Sequence, residues 1–353
     1  MTHKLKHKPM IPMVSVIIPC RNEAQCIGRC LDSVLASDYP PERLEVIVAD
    51  GMSHDGTREQ VEQYAARDPR VRLIDNQDRT TPQALNRAIA TARGALILRL
   101  DARAKLAPDY IARAVQNIES SGADCVGGVM RTVAPGSGLF AEPIRIVLSQ
   151  PFGVGNAHFR TGSDRPRWVD TVFGACWRRE VFERIGWFDE HLERSQDIEF
   201  SGRLRRAGGT ILMSPEMKID YYAPATLSDF WRRNWSNGMW AILPFGYVSG
   251  IAVHWRHLTP LALVLGLAGS MTAAAWTGSE WLAWTVAGPY LAANLAATVQ
   301  AARKERSLRL VFLMPLVFAS LHLAYGVGSA WGCVRLAMLL AKPKPERIPE
   351  VVR

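Results

Sequence analysis

Leu96-Ile97-Leu98-Arg99-Leu100-Asp101-Ala102-Arg103 is a short apolar run that stops abruptly at a carboxylate. A run of this length after Gly94 fits a buried strand of a parallel sheet. In open α/β sheets ligands bind just beyond the carboxyl ends of the strands, which would deliver Asp101 to the floor of a cleft. The plainer alternative is a solvated aspartate in the turn after any strand. The surrounding chain decides between the two.

Upstream the same theme repeats. Val14-Ser15-Val16-Ile17-Ile18-Pro19 is a β-branched strand ended by a proline, which cannot donate to a central ladder. Asn22-Glu23 opens a helical pattern with Ile27, Leu31, Val34 and Leu35 on one face, and Tyr39-Pro40-Pro41 breaks it. Leu44 to Asp50 is a second strand ending in a carboxylate. Gly51 to Thr57 is a loop in which Thr57 or Asp55 caps the next helix, up to about Arg67. Val71 to Asp75 is a third strand, and Pro82 to Arg93 a helix closed by Gly94. Strands alternating with helices of this length mean βαβ units, right-handed crossovers and a parallel sheet. No G-x-G-x-x-G follows the first strand and no G-x-x-x-x-G-K-[ST] occurs, which removes dinucleotide and P-loop readings.

Downstream, Pro108 to Ser121 reads as a helix, Ala123 to Met130 as a strand containing Gly127-Gly128, and Val172 to Arg179 as another strand. Residues 134–170, rich in Gly, Pro, Arg and Asn, read as a mobile flap. Asp197 starts a helical pattern with Phe200, Leu204 and Ala207 on one face. It either caps that helix or offers a base. The six cysteines form no CxxC pair and no zinc spacing, which fits a reducing compartment.

The net charge of +9 suits a polyanionic ligand or anionic lipid headgroups. Lys4, Lys6 and Lys8 form a basic tail, and no apolar core of a signal peptide follows before Val14. Asp229 to Trp240 gathers tryptophans with Arg232 and Arg233 in one amphipathic segment suited to a membrane interface. A nucleic-acid reading of the same mixture lacks any binding module. His257 to Trp276, Trp281 to Ala302 and Leu310 to about Leu340 are apolar stretches long enough to span. The basic 303–309 link should face the cytoplasm, and the catalytic domain with it. Three full spans put the basic C-terminal tail on the far side, against the same rule; a re-entrant third segment brings it back. Few spans, and no charge near a span midplane, count against transport. The expected plan is a basic tail over 1–13, a catalytic domain over 14–227, an interfacial segment over 228–256, spans over 257–341 and a basic tail over 342–353.

Several short motifs, by their order and spacing, resemble the family 2 glycosyltransferases of GT-A fold. They are Val16-Ile17-Ile18-Pro19-Cys20-Arg21-Asn22-Glu23, Asp50-Gly51-Met52-Ser53-His54-Asp55-Gly56-Thr57, Ala84-Leu85-Asn86, Arg99 to Arg103, Gln196-Asp197-Ile198-Glu199-Phe200 with Arg203, and Trp231-Arg232-Arg233-Asn234. Within that family they are similar to the ExoA-like enzymes of bacterial exopolysaccharide assembly. The resemblance implies an α/β GT-A domain with a Rossmann-like, mostly parallel sheet. It implies inverting transfer from a nucleotide sugar, UDP-linked by preference, to a polyprenyl-diphosphate-linked acceptor at a bacterial inner membrane. By it, Pro19, Arg21, Asn22, Glu23 and Asn86 line the nucleotide pocket, Asp50 meets the base edge and Asp101 lies at the diphosphate. Gly174, Arg232 and Arg233 fall on the acceptor side, and Asp197 is the general base.

Asp101 matches the first acid of the family's D-x-D motif, where a carboxylate-held Mg²⁺ or Mn²⁺ neutralises the leaving diphosphate. Arg103 stands where the second acid would, and an arginine cannot ligate a cation. Either Asp101 alone holds the metal, or Arg103 meets phosphate oxygens directly, or Arg103 salt-bridges Asp101 or an acid at a helix end. Gln196 replaces the usual Glu before Asp197, and Arg233-Asn234 departs from the family's arginine–tryptophan element. The implied partners are the donor, the lipid-linked acceptor, membrane lipids and other assembly proteins, with no nucleic acid. The alternatives are a polyprenyl-phosphate glycosyltransferase and a non-catalytic membrane scaffold.

Overall fold

Strands and helices alternate strictly through the first part of the computed structural model, which describes residues 11–136, 138–155, 157–248 and 257–341. The basic tails, up to residue 10 and from 342, and the 249–256 end of the interfacial segment lie outside the described residues. The order is β1 (Val14–Cys20), α1 (Ile27–Leu35), β2 (Leu44–Asp50), α2 (Thr57–Arg67), β3 (Val71–Asp75), α3 (Thr81–Thr91) and β4 (Leu96–Arg99). Next come β5 (Ala104–Leu106), α4 (Tyr110–Ser121), β6 (Cys125–Val133), α5 (Ala141–Val147), α6 (Pro151–Val154) and α7 (His158–Thr161). Then follow β7 (Arg167–Trp168), β8 (Phe173–Arg178), α8 (Arg179–Ile185), α9 (Gln196–Arg206) and β9 (Ile211–Tyr222). The chain ends in long helices: α10 (Leu227–Ile242), α11 (Thr259–Thr277), α12 (Glu280–Glu305) and α13 (Arg309–Leu340).

The chain divides into two units. One takes the described residues up to Val133 with Ala157–Tyr222; the other takes those of 134–156 and from Ala223 onward. The 134–156 segment therefore clusters with the helical unit, whereas the expected plan kept it in the catalytic domain. The stretch expected as a flap carries α5, α6, α7 and β7.

The first unit is one sheet in the order β3-β2-β1-β4-β8-β6-β9-β5, with β7 also on β9. β1 lies parallel to β2 and β4, and β2 parallel to β3. β8 runs antiparallel between β4 and β6, and β5 and β7 run antiparallel to β9. The sheet is thus α/β, mixed and mostly parallel. Alternate residues of the central strands feed two separate cores, because successive side chains point to opposite faces. Val16, Ile18, Val46, Val48 and Leu98 pack with α1 and α4, while Ile17, Ile47 and Ile97 pack with α3, α8 and α9. Burial on both faces is why these strands read as unbroken apolar runs.

Gly94 is not the cap of α3, which ends at Thr91. Its N–H donates to Ser15 Oγ at 2.7 Å, and an added Cβ would stand 2.6 Å from the Ser15 nitrogen. Close backbone approach, not a left-handed turn, demands the glycine. Beside it Glu45, 1% exposed, accepts from Ser15 Oγ and Arg93 N, each at 2.6 Å, and pairs with Arg72 at 2.9 Å. Burial alone would raise this carboxyl, but the hydrogen bonds from Ser15 and Arg93 and the Arg72 charge hold it below its ordinary range. A lowered folded value means the stabilisation is complete above the unfolded value of about 4.3 and is lost as pH falls through the folded one. Glu45→Ala is expected to cost about 2–3 kcal/mol at pH 7, the buried-pair range discounted for partly exposed arginines. Urea unfolding of the detergent-solubilised chain measures it; a stability unchanged from wild type at pH 7 would contradict the clamp.

In the helical unit α10 lies against α13 through small residues. A Cβ on Gly238 would stand 1.9 Å from the Tyr325 carbonyl oxygen, and one on Gly328 2.0 Å from that of Trp235. Ser329 Oγ donates to the Gly238 carbonyl at 3.0 Å. Such small-residue contacts let helix backbones touch where side-chain burial against water drives little. α11 and α13 are long and apolar enough to cross a membrane, with mean hydropathy 1.4 and 2.0. α12, the expected middle span, is less apolar than these two because it carries Trp284, Pro289, Tyr290 and Asn294. Asn294 is buried and donates to the Pro315 carbonyl at 3.1 Å.

Candidate active site

The carboxyl ends of β2, β1 and β4 are neighbours, so the sheet itself gathers residues 19–23, 50–57 and 99–103. Cys20 stands in register with Asp50, and the Leu100 N–H donates to the Ile17 carbonyl at 3.0 Å. Asp50 is fully buried; its carboxylate takes the Ser53 hydroxyl at 2.5 Å and the Ser53 N–H at 3.0 Å. Burial together with that carboxylate pushes the Cys20 thiol up, so it behaves as an inert core residue.

α1 does not begin at Asn22 as the helical pattern suggests. Asn22 adopts φ 55°, a left-handed position that asparagine tolerates. Its N–H donates to Ser53 Oγ at 2.8 Å and its Oδ1 accepts from His54 N at 3.1 Å. The Glu23 N–H donates to Thr57 Oγ1 at 2.8 Å, and Asp55 receives Thr57 at the start of α2. The loops after β1 and β2 are thereby laced into one wall. Pro19 ends that strand partly buried, and the exposed Arg21 lies across Gly51, where an added Cβ would approach it to 3.1 Å.

Asp101 is a third exposed, and its Oδ1 receives Arg99 Nε at 3.3 Å and Nη2 at 3.2 Å. Arg99 is 14% exposed in its side chain. Burial works against its charge, but the carboxylates of Asp101 and Asp197 outweigh it and raise its pKa. One buried guanidinium therefore sits under the influence of both a strand-end acid and a helix-start acid. Asp197 lies in the first turn of α9, partly buried, with Oδ1 accepting the Ile198 N–H at 2.9 Å. The helix is pinned behind it: Glu199 pairs with Arg203 at 2.7 Å, and Arg203 also donates to the carbonyls of Ile185 and Trp187.

Of the three readings of Arg103, the structure shows an ion pair to an acid near a helix start: its Nε donates to Glu23 Oε1 at 2.8 Å, just ahead of α1. It bridges the first and fourth strand ends without touching Asp101. Asn86, expected in the nucleotide pocket, bonds to the loop ahead of α9. Its buried amide accepts from Phe188 N at 3.0 Å and donates to the Phe188 carbonyl and Glu190, both at 2.9 Å. It is a clamp on the loop that leads to α9. Gly174, expected on the acceptor side, is a packing residue. At φ 60°, an added Cβ would stand 2.0 Å from Ile219 Cδ1, and Tyr110 OH donates to its carbonyl at 2.7 Å. Arg232 and Arg233 belong to the helical unit, on α10, where the exposed Arg232 pairs with Asp229 and Arg233 is partly buried. Arg99 had no role assigned from sequence, although an arginine one step inside an apolar strand is a signal in itself.

Among the described residues no three His, Cys, Asp or Glu side chains gather to hold a metal ion. Asp101 nevertheless leaves Oδ2 without a hydrogen-bond or ion-pair partner among those residues. One open, partly solvated carboxylate oxygen fits a Mg²⁺ or Mn²⁺ whose other ligands are phosphate oxygens and water.

Residues 15–186 match the family described as Glycosyl transferase family 2. The chain is 32% identical over 304 residues to Succinoglycan biosynthesis protein ExoA of Rhizobium meliloti (strain 1021), covering 83% of this chain and 86% of that protein. It is 23% identical over 256 residues to dolichyl N-acetyl-alpha-D-glucosaminyl phosphate 3-beta-D-2,3-diacetamido-2,3-dideoxy-beta-D-glucuronosyltransferase of Methanococcus voltae, covering 67% of this chain and 78% of that one. In fold it is similar to the mannosyltransferase PcManGT from Pyrobaculum calidifontis, solved with GDP-Man and Mn²⁺. The TM-score is 0.61 at 23% identity, over 92% of this chain and 88% of the other. At that identity the likeness speaks for the fold alone.

Proposed function

The chain belongs to glycosyltransferase family 2 and is ExoA-like, and from that premise we propose that it is a membrane-anchored inverting enzyme of surface polysaccharide assembly. It moves a sugar from a nucleotide donor, UDP-linked by preference, to a polyprenyl-diphosphate-linked acceptor. The observation that supports this reading is Arg99, mostly buried and hydrogen-bonded to Asp101, with Asp197 near enough for its charge to act on the same guanidinium. It ties the leaving-group side of a displacement to a base on the acceptor side.

In this reading the wall built by Pro19, Arg21, Asn22 and Asp50 holds the nucleoside, and Asp101 lies at the diphosphate. Asp101 is the residue that would hold a Mg²⁺ or Mn²⁺, which would supply neutralising charge for the departing diphosphate. Asp197 takes the proton of the acceptor hydroxyl as that oxygen attacks the anomeric carbon from the face opposite the leaving group. Arg99 holds the Asp101 side chain by hydrogen bonds and offsets the charge of both carboxylates, and the Arg103–Glu23 bridge links the first and fourth strand ends.

Membrane anchoring is supported by the helical unit. Trp276, Trp281 and Phe312 are each more than 80% exposed, on or beside helices apolar enough to span. Contiguous apolar surface of this kind is rare in water and ordinary in hydrocarbon. The basic 303–309 link favours a multi-pass inner-membrane arrangement with the catalytic unit in the cytoplasm. The exposed Arg232 and the partly buried Arg233 beside it suit contact with acidic headgroups or the acceptor's diphosphate.

The test is incubation of membranes containing the protein with labelled UDP- and GDP-sugars and a polyprenyl-diphosphate-sugar primer, with and without EDTA. Label entering the lipid fraction from a UDP-sugar, and stopping with EDTA, is the expected result. Label on bare polyprenyl phosphate instead would move the assignment to a polyprenyl-phosphate glycosyltransferase. No lipid label from any donor would overturn the proposal.

A further inference from the structure

Arg160, on α7, is a charged side chain that the transferase reading leaves unused. Its Nη1 is shielded from solvent and has no hydrogen-bond partner among the described residues. Thr132, 4% exposed on β6, carries a second orphan of the same kind, its Oγ1. Tyr221 connects them. It stands opposite Thr132 in the β6–β9 register and opposite Ala104 in the β5–β9 register. It interacts electrostatically with Arg160 and also with Arg103, two residues past Asp101. Burial pushes the Arg160 guanidinium below the ordinary arginine range, with Tyr221 working the other way.

A guanidinium nitrogen shielded from water without a partner is costly, and so is a buried hydroxyl without one. Two such groups on packed neighbouring elements, either side of Tyr221, describe a receptor lacking its anion. We propose that Arg160, with the Thr132 hydroxyl, receives a phosphate group of one of the reaction's two phosphorylated ligands. Arginine suits this role because its planar fork meets two phosphate oxygens at once. The proposal deepens the transferase reading and rests on it for the ligands' identity; the donor diphosphate and the acceptor's lipid-linked diphosphate share the chemistry.

The experiment uses the full chain in detergent, with inorganic pyrophosphate as the first probe, by calorimetry. Arg160→Gln is expected to weaken pyrophosphate binding by about tenfold or more, with Arg160→Lys between it and wild type. Thr132→Val weakens it less, and Arg160→Met raises the melting temperature while losing binding, because the buried charge is gone. UDP affinity falling in parallel identifies the donor diphosphate. UDP affinity unchanged with a raised acceptor KM identifies the lipid. The proposal is overturned if wild type binds no pyrophosphate. It is equally overturned if Arg160→Gln leaves pyrophosphate affinity, UDP affinity and acceptor KM all at wild-type values, and Thr132→Val decides in the same way should Arg160→Gln not fold. The pyrophosphate measurement reads Arg160 directly, so a chain that binds pyrophosphate through it but transfers no sugar would fail the transferase reading alone.

Discussion

Asp197→Asn lowers the rate of sugar transfer by about 10²–10⁴-fold, the range a positioned general base contributes. The substitution is a clean one. An asparagine Oδ1 can still accept the Ile198 N–H, and the Glu199–Arg203 pair that pins α9 is untouched. Substrate binding should therefore survive while proton removal does not, so kcat falls with KM close to wild type. Radiolabelled transfer at saturating donor and acceptor measures it. A kcat within the wild-type range would show that Asp197 is only a first-turn acid of its helix.

Asp101→Asn is the second large effect. It removes the only anionic side chain in hydrogen-bond contact with Arg99 among the described residues, along with the open oxygen suited to a cation. Several kcal/mol of charge stabilisation at the departing diphosphate go with it, or about 10²–10³-fold in rate. The loss should resemble that produced by EDTA on the wild type, and EDTA should add little to the variant. A variant that keeps full, EDTA-sensitive activity would place the cation elsewhere.

The parallel half of the sheet was legible because its strands are buried on both faces and read as apolar runs, each followed by a helix. Their ends were legible too, since a proline or carboxylate terminates each run. β9 was not, because Pro215, Glu216 and Lys218 interrupt its alternation where the register with β6 shifts. Asn86 and Gly174 lay beyond any local pattern. The first is defined by a contact 102 residues away, and the second by the Ile219 and Tyr110 side chains packed over it. Gly94 was placed as a helix cap because the sequence shows where a glycine is, not what backbone comes near it. Arg99 became meaningful only once the fold set the Asp101 carboxylate on its guanidinium, with Asp197 near enough for its charge to be felt there. Of the three apolar stretches, α11 and α13 carry the stronger hydropathy, while α12 is diluted by Trp284, Tyr290, Pro289 and Asn294.

The account depends on a single displacement, with the acid at the strand end and the acid at the helix start on opposite sides of one anomeric carbon. The anomeric configuration of the newly transferred sugar, read by NMR on the lipid-linked product, tests this directly. Inversion relative to the donor is the expected result, and retention would contradict it.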